Sequence, residues 1–221
     1  MYFNMRRLFL CAALCGAVSN GQAAFRFGLA NNAAKRGAGV AEQALPINIV
    51  LILPISASQI NSMLWPFGVQ GGGHPNGHPG IDLGAVLGAS VFASANGKVR
   101  EVSDRSLDSP EMEKVIIIDH ARYQSAYVGS LTRITVQAGD FVVQGQKLGE
   151  LEGFQGGKQS YGFLHWGLST FLTSDPASVC PYNFTAADGK TVLEQLFSRS
   201  TYSERSQFPL LCNPCPAGGC R

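Results

Sequence analysis

Short apolar segments of period two, broken by glycines, occupy the chain from position 90 to about 170. Val91-Phe92-Ala93, Lys98-Val99-Arg100-Glu101-Val102, Val115-Ile116-Ile117-Ile118-Asp119-His120 and Ser125-Ala126-Tyr127-Val128 each read as a strand. Phe163-Leu164-His165-Trp166-Gly167-Leu168 alternates in the same way. Upstream, the β-branched run Ile47-Asn48-Ile49-Val50-Leu51-Ile52-Leu53 stops at Pro54 and predicts one more strand. The stretch Gly71-Gly72-Gly73-His74-Pro75-Asn76-Gly77-His78-Pro79-Gly80 is a polar loop of turn formers. No helix of ordinary length fits between 90 and 170. After Asp175-Pro176 the pattern loosens, and one short helix is predicted around Lys190 to Ser198. The expected class is mostly β with few short helices.

The beginning of the chain follows a different pattern. Arg6-Arg7 precedes the apolar stretch Leu8 to Val18, and the small and polar run Ser19 to Ala23 follows it. This is the layout of a secretory signal, with Gly21 and Ala23 at the small positions before cleavage. The apolar stretch spans eleven positions, too few to cross a bilayer. An uncleaved anchor or a buried core helix is the competing reading and fits these flanks less well. Arg6-Arg7-Leu8-Phe9-Leu10 also partly resembles a twin-arginine signal. Leu10 and Leu14 precede Cys11 and Cys15, which disfavours lipid attachment at either cysteine. The segmentation is therefore a signal peptide at 1–23, an Ala/Gly/Asn-rich linker or pro-segment at 24–46, a β domain at 47–178 and a C-terminal extension at 179–221. The expected location is secreted or periplasmic.

Charge and cysteines sharpen this picture. Charged residues make up only 14% of the 221 positions against 45% hydrophobic, which excludes a long disordered or highly basic chain. Removing 1–23 lowers Lys+Arg from 17 to 15 against Asp+Glu 15, so no footprint for nucleic acid or anionic lipid remains. No later stretch is apolar and long enough to span a membrane. Four cysteines stay with the mature chain: Cys180, Cys212, Cys215 and Cys220. In an exported protein they read first as two disulfides, with one of the tail cysteines joined to Cys180. A zinc knot on Cys212-x-x-Cys215 is the weaker alternative, because no second close pair has metal-site spacing.

The histidines carry the candidate chemistry. His78-Pro79-Gly80-Ile81-Asp82 sets an imidazole four residues before a carboxylate, so both can turn to one point. His165, on a distant strand, can complete a two-nitrogen, one-oxygen set of the kind that binds zinc and leaves a position for water. By itself His-x-x-x-Asp is a common loop pattern, and a histidine beside Trp166 is more often a packing residue.

The surroundings supply the rest. His78-Pro79-Gly80-Ile81-Asp82-Leu83, Gly88, Val91-Phe92-Ala93, Gly97-Lys98-Val99, Val115 to His120, and Val136-Gln137-Ala138-Gly139-Asp140-Phe141-Val142-Val143-Gln144-Gly145-Gln146-Lys147-Leu148-Gly149 together resemble the LytM/lysostaphin-type M23 metallopeptidases over about residues 65–178. The resemblance implies an antiparallel β-sheet domain with a groove (the duplicated hybrid motif fold), one Zn2+ ion held by His78, Asp82 and His165, and peptidoglycan or its cross-bridge peptides as substrate. The family's Tyr-x-His motif aligns with Tyr127-Val128-Gly129, and its His-x-His pair with Phe163-Leu164-His165. The two auxiliary histidines of the family are thus Gly129 and Phe163 here, and neither side chain can move a proton. His74 is the candidate replacement, with Tyr161 and Tyr127 as phenols of the right type; His120 reads as structural.

Three function classes follow. One is a zinc endopeptidase acting on glycine-containing or peptidoglycan peptides. Another is a catalytically silent wall-binding module, or one that regulates a partner wall hydrolase. The third, a lipoyl-type carrier suggested by Gly139-Asp140-x-Val142-x-x-Gly145-Gln146, lacks a modifiable lysine on a hairpin turn and is set aside. Intact ligands with altered auxiliary positions lead to the expectation of a zinc-binding domain with weak or absent peptidase activity.

Overall fold

In a strand, successive side chains turn to opposite faces, and this alternation divides the molecule into a core side and an open side. The computed structural model describes residues 48–71, 73–106, 112–153, 160–170, 177–216 and 219–220. The signal-peptide and linker assignments, and Asp175-Pro176, lie outside these residues. Along the chain run β1 (Ile60–Trp65), β2 (Gly80–Ala85), β3 (Ser90–Phe92), β4 (Gly97–Ser106), β5 (Met112–His120), β6 (Tyr123–Gly129), β7 (Leu131–Thr132), β8 (Phe141–Val142), β9 (Lys147–Leu151), β10 (Gly162–Thr170), β11 (Ala177–Ser178) and α1 (Ala187–Arg199).

The strands form two antiparallel sheets. The larger has the order β1-β2-β10-β6-β5-β4-β8, with β11 paired to the end of β10; the smaller is β3-β9-β7. Mostly β with an antiparallel sheet is therefore what the chain adopts, as expected. On the core face Ile81 and Leu83 of β2, Leu164, Trp166 and Leu168 of β10, Tyr127 of β6, and Ile116 and Ile118 of β5 are buried side by side. Each buried aliphatic side chain of this kind is worth about 1.5–3 kcal/mol. The opposite face carries Asp82, His165 and Val128.

The run ending at Leu53 is not a strand over its described residues. Only Leu51 forms a bridge, parallel to Thr185: its amide donates to Phe184 O (2.8 Å) and its carbonyl accepts from Ala186 N (2.9 Å). Its partner segment is a 3₁₀ turn, Pro181–Phe184, that runs on into α1, so no ladder can extend. Apolar character was the right signal for burial, since Leu51 and Ile55 are fully buried.

The predicted helix is present and three residues longer at its start. Leu193 and Leu196, three apart, face the core that the sheet also lines. Asp188 in the first turn and Arg199 in the last suit the helix dipole.

All four tail cysteines are paired, Cys180 with Cys212 and Cys215 with Cys220. Cys212 and Cys215 thus belong to different bridges, which removes the zinc-knot alternative. The first bridge spans a separation of 32 residues. Chain-entropy reasoning gives such a loop about 3–4 kcal/mol, so Cys180→Ser/Cys212→Ser should lower the unfolding free energy by that amount in urea titrations. An unchanged urea midpoint would contradict it.

Candidate metal centre

His165 lies on β10, a central strand flanked by β2 and β6. Register places Asp82 directly opposite it on one side and Val128 on the other. Residues opposite one another in an antiparallel pair share a face, so the carboxylate and the imidazole meet over the open side of the sheet. His78 arrives from the loop just before β2. Its Nδ1 stands 3.1 Å from Pro66 O. A carbonyl only accepts, so Nδ1 carries the proton and Nε2 presents its lone pair. A carbonyl fixing the tautomer of an imidazole ligand is the usual support of a metal centre.

Three donor atoms converge. His78 Nε2 is 3.0 Å from His165 Nδ1 and 3.1 Å from Asp82 Oδ1, and His165 Nδ1 is 2.8 Å from Asp82 Oδ1. Lone pairs this close repel unless a proton or a cation lies between them. Ligands of a tetrahedral zinc with bonds of about 2.0–2.1 Å stand about 3.3 Å apart, so the triangle fits after opening by a few tenths of an ångström. These three residues form the metal-competent cluster of the described residues. His78 is fully buried, while Asp82 and His165 keep 15% exposure, which leaves an approach from solvent. Burial alone would push Asp82 up, but hydrogen bonds to His165 and His78, with their charge, hold it at about 2. The other nitrogen of His165 is tucked against Gly80, where an added Cβ would stand 2.7 Å from Nε2.

The remaining sequence candidates separate clearly. His74 sits in a tight turn, exchanging backbone bonds with Gly71, and its ring centroid is 4.8 Å from that of His78. It is beside the centre without joining the three converging atoms. Phe163 and Tyr161 precede His165 by two and four positions on the same face; the Tyr161 ring lies 3.4 Å from where Gly84 would carry a Cβ. Tyr127 does not reach the centre. It faces the core, where its hydroxyl accepts from Ser94 N at 2.8 Å. Gly129 also turns to the core face, opposite Leu164, and a Cβ there would stand 2.2 Å from Phe163 O. Position 129 therefore has neither the direction nor the room for a histidine aimed at His78, Asp82 and His165. Counting alternation from Tyr127 carries this information; the motif alignment alone hides it. Pro66, whose carbonyl orients His78, has no sequence signal.

His120 is structural, as expected. Its Nδ1 donates to Asn96 O (2.7 Å) and its Nε2 accepts from Ser125 Oγ (2.8 Å), a neutral ring with both nitrogens used. Burial holds its pKa below the usual 6.5 and outweighs the Asn96 carbonyl and the Asp119 charge, which raise it. Because the unfolded chain binds this proton more readily, the stability His120 contributes is complete above about pH 6.5 and is lost as pH falls. His120→Gln should flatten the drop in melting temperature between pH 7.5 and pH 5; an unchanged pH slope would count against it.

One cavity lies away from His78, Asp82 and His165. It holds about 520 Å³ and is lined by Ile52, Leu53, Ile55, Phe92, Asp188 and Val192, with none of the metal-centre residues.

Two imidazoles and a carboxylate on one face of an antiparallel sheet are a donor set that could hold a metal ion. Residues 76–176 match the family described as Peptidase family M23, and this part of the chain is similar to that family. Some solved structures are similar to parts of this chain. One is a peptidase M23 structure from Pseudomonas aeruginosa, with 25% identity and a TM-score of 0.46, covering 64% of this chain and 52% of that one. This chain thus spans about half the length of that protein. Another is the catalytic domain of the prophage-encoded M23 protein EnpA from Enterococcus faecalis (25% identity, TM-score 0.42, 54% of this chain and 88% of that one). The catalytic domain of the antimicrobial peptidase lysostaphin from Staphylococcus simulans follows (22%, 0.38, 54% and 90%). No curated protein matches the sequence. Among the described residues, no helix is long and apolar enough to cross a membrane.

Proposed function

We propose that this chain is an exported M23-type domain that binds one zinc ion through His78, Asp82 and His165 and acts on peptidoglycan peptides, hydrolysing them weakly or not at all. The observation that carries the reading is the convergence of His78 Nε2, His165 Nδ1 and Asp82 Oδ1 within 3.1 Å, with the His78 tautomer fixed by Pro66. Zinc held there supplies Lewis acidity toward a peptide carbonyl and lowers the pKa of water to about 7.

The chain's own residues do the rest. His78 and His165 offer one ring nitrogen each and Asp82 a carboxylate oxygen, and the 15% exposure of Asp82 and His165 lets a peptide carbonyl approach them. What is weak is proton transfer. A positioned acid or base contributes about 10²- to 10⁴-fold, and the aligned positions hold Gly129 and Phe163. His74, with its ring 4.8 Å from that of His78, is the group best placed to carry a proton instead.

A non-catalytic wall-binding or regulatory role is the second reading, favoured by Phe163 on the same face as the ligands. Zinc quantification of the purified protein, run beside digestion of purified peptidoglycan with and without a chelator, separates them. One zinc per chain with slow, chelator-sensitive release of peptides supports the proposal. Robust turnover abolished by His74→Ala would establish a fully active enzyme with a substitute proton carrier. Zinc-independent binding without cleavage would favour the regulatory module.

A further inference from the structure

The C-terminal tail touches both elements that carry the ligands. Cys180 comes two residues after β11, which pairs with β10, and the amide of Val179 donates to Leu168 O (2.9 Å). The Cys180–Cys212 bridge therefore ties residue 212 to the end of the His165 strand. The next residue, Asn213, reaches the other side. Its backbone N and its side-chain Nδ2 both donate to Phe67 O at 3.0 Å, and Cys212 forms a parallel bridge with Phe67.

Phe67 belongs to the segment that seats His78. Pro66 O accepts a hydrogen bond from His78 Nδ1, Gly68 N donates to His78 O (2.9 Å), and His78 N donates to Val69 O (2.9 Å). Gly68, with φ of +79°, approaches the tail so closely that a Cβ would stand 2.2 Å from Asn213 O. Gly77, adjacent to His78, meets the second bridge: a Cβ there would stand 2.9 Å from Cys220 Sγ.

Asn213 is only 2% exposed. Its amide is committed on both ends, with Nδ2 also donating to Leu210 O (2.6 Å) and Oδ1 accepting from Leu210 N (3.2 Å). A buried side-chain amide satisfied in this way rigidifies what it touches.

Resting on the metal-binding reading above, we propose that Asn213, held in place by the Cys180–Cys212 bridge, is a positioning residue for the metal centre. It fixes the 66–69 segment against the His165 strand and so sets where the His78 imidazole stands. Groups that orient a metal ligand through a hydrogen bond typically change affinity by about 10- to 100-fold.

The test uses the full chain. Zinc affinity is measured by competition with a chromogenic chelator for wild type, Asn213→Ala and Val142→Ala, the last a buried residue on β8 at the far end of the sheet order. Amide hydrogen exchange is followed by NMR on the metal-free proteins. Asn213→Ala should weaken zinc binding about tenfold or more. It should also speed exchange at Gly68 and His78 while leaving Ile116 and Ile118 unchanged. Val142→Ala should keep wild-type affinity. If Asn213→Ala does not fold, Cys180→Ser/Cys212→Ser should give the same local signature. Unchanged affinity and exchange in Asn213→Ala, or an equal loss of affinity in Val142→Ala, overturns the positioning role. Wild type that binds no zinc overturns the metal reading instead, and the exchange measurement then still reports on the clamp by itself.

Discussion

Purified protein equilibrated with zinc will carry one ion per chain, and His165→Ala will carry none that survives gel filtration. The effect is large because one of only three protein donors is lost, and it should exceed the 10- to 100-fold typical of an outer partner. The variant is also a clean one. His165 lies on the open face with 15% exposure, so its truncation leaves no hole among Leu164, Trp166 and Leu168. Thermal unfolding gives the second measurement. A ligand that binds only the folded state adds about 2.7 kcal/mol at a hundred times its Kd, so wild-type Tm should climb with zinc while that of His165→Ala stays flat. Asp82→Ala should behave alike. Equal, negligible zinc in wild type and variant would sink the metal assignment.

Phe163→His will raise peptidoglycan hydrolysis, and Gly129→His will not. The two positions look equivalent in the motif alignment, and the sheet makes them opposites. Position 163 shares the ligand face of β10, two residues and about 7 Å from His165, so an imidazole there can reach a peptide lying over the centre. A gain of about 10²-fold is the lower end for a positioned acid or base. At position 129 any side chain begins 2.2 Å from the carbonyl of Phe163, between two paired strands. Even Gly129→Ala should cost about 3 kcal/mol or more, since β6 and β10 must separate to admit it. Release of soluble peptides, measured per folded protein, checks the first claim; urea unfolding checks the second. A Phe163→His protein no faster than wild type, though folded and loaded with zinc, would show that the missing histidine is not what limits the reaction.

Much of this was legible in the chain. Val115 to His120 and Ser125 to Val128 alternate strongly enough to be recognised as strands, and His78, Asp82 and His165 stand out by donor type and motif. The fate of Gly129 was hidden because it depends on register, and a one-residue offset in a strand changes the face to which a side chain points. The segment ending at Leu53 misled for a related reason: its β-branched composition reports burial, while ladder formation depends on a partner, and Pro181–Phe184 offers a turn. The Cys180–Cys212 bridge and the role of Asn213 are contacts between distant segments, with no local pattern to betray them.

The strand order has a kinetic side. β5 and β6 form a hairpin from neighbouring residues, and β1 pairs with β2 without help from later parts of the chain. β10 must then insert between β2 and β6, bringing His165 to a partner 83 residues earlier in the sequence. Closing so long a loop is slow and costs entropy before contacts reward it. A metal ion bound by His78, Asp82 and His165 would therefore meet its complete set of ligands only after this keystone strand has docked. It would then lengthen the life of the folded molecule without guiding the early steps that build it.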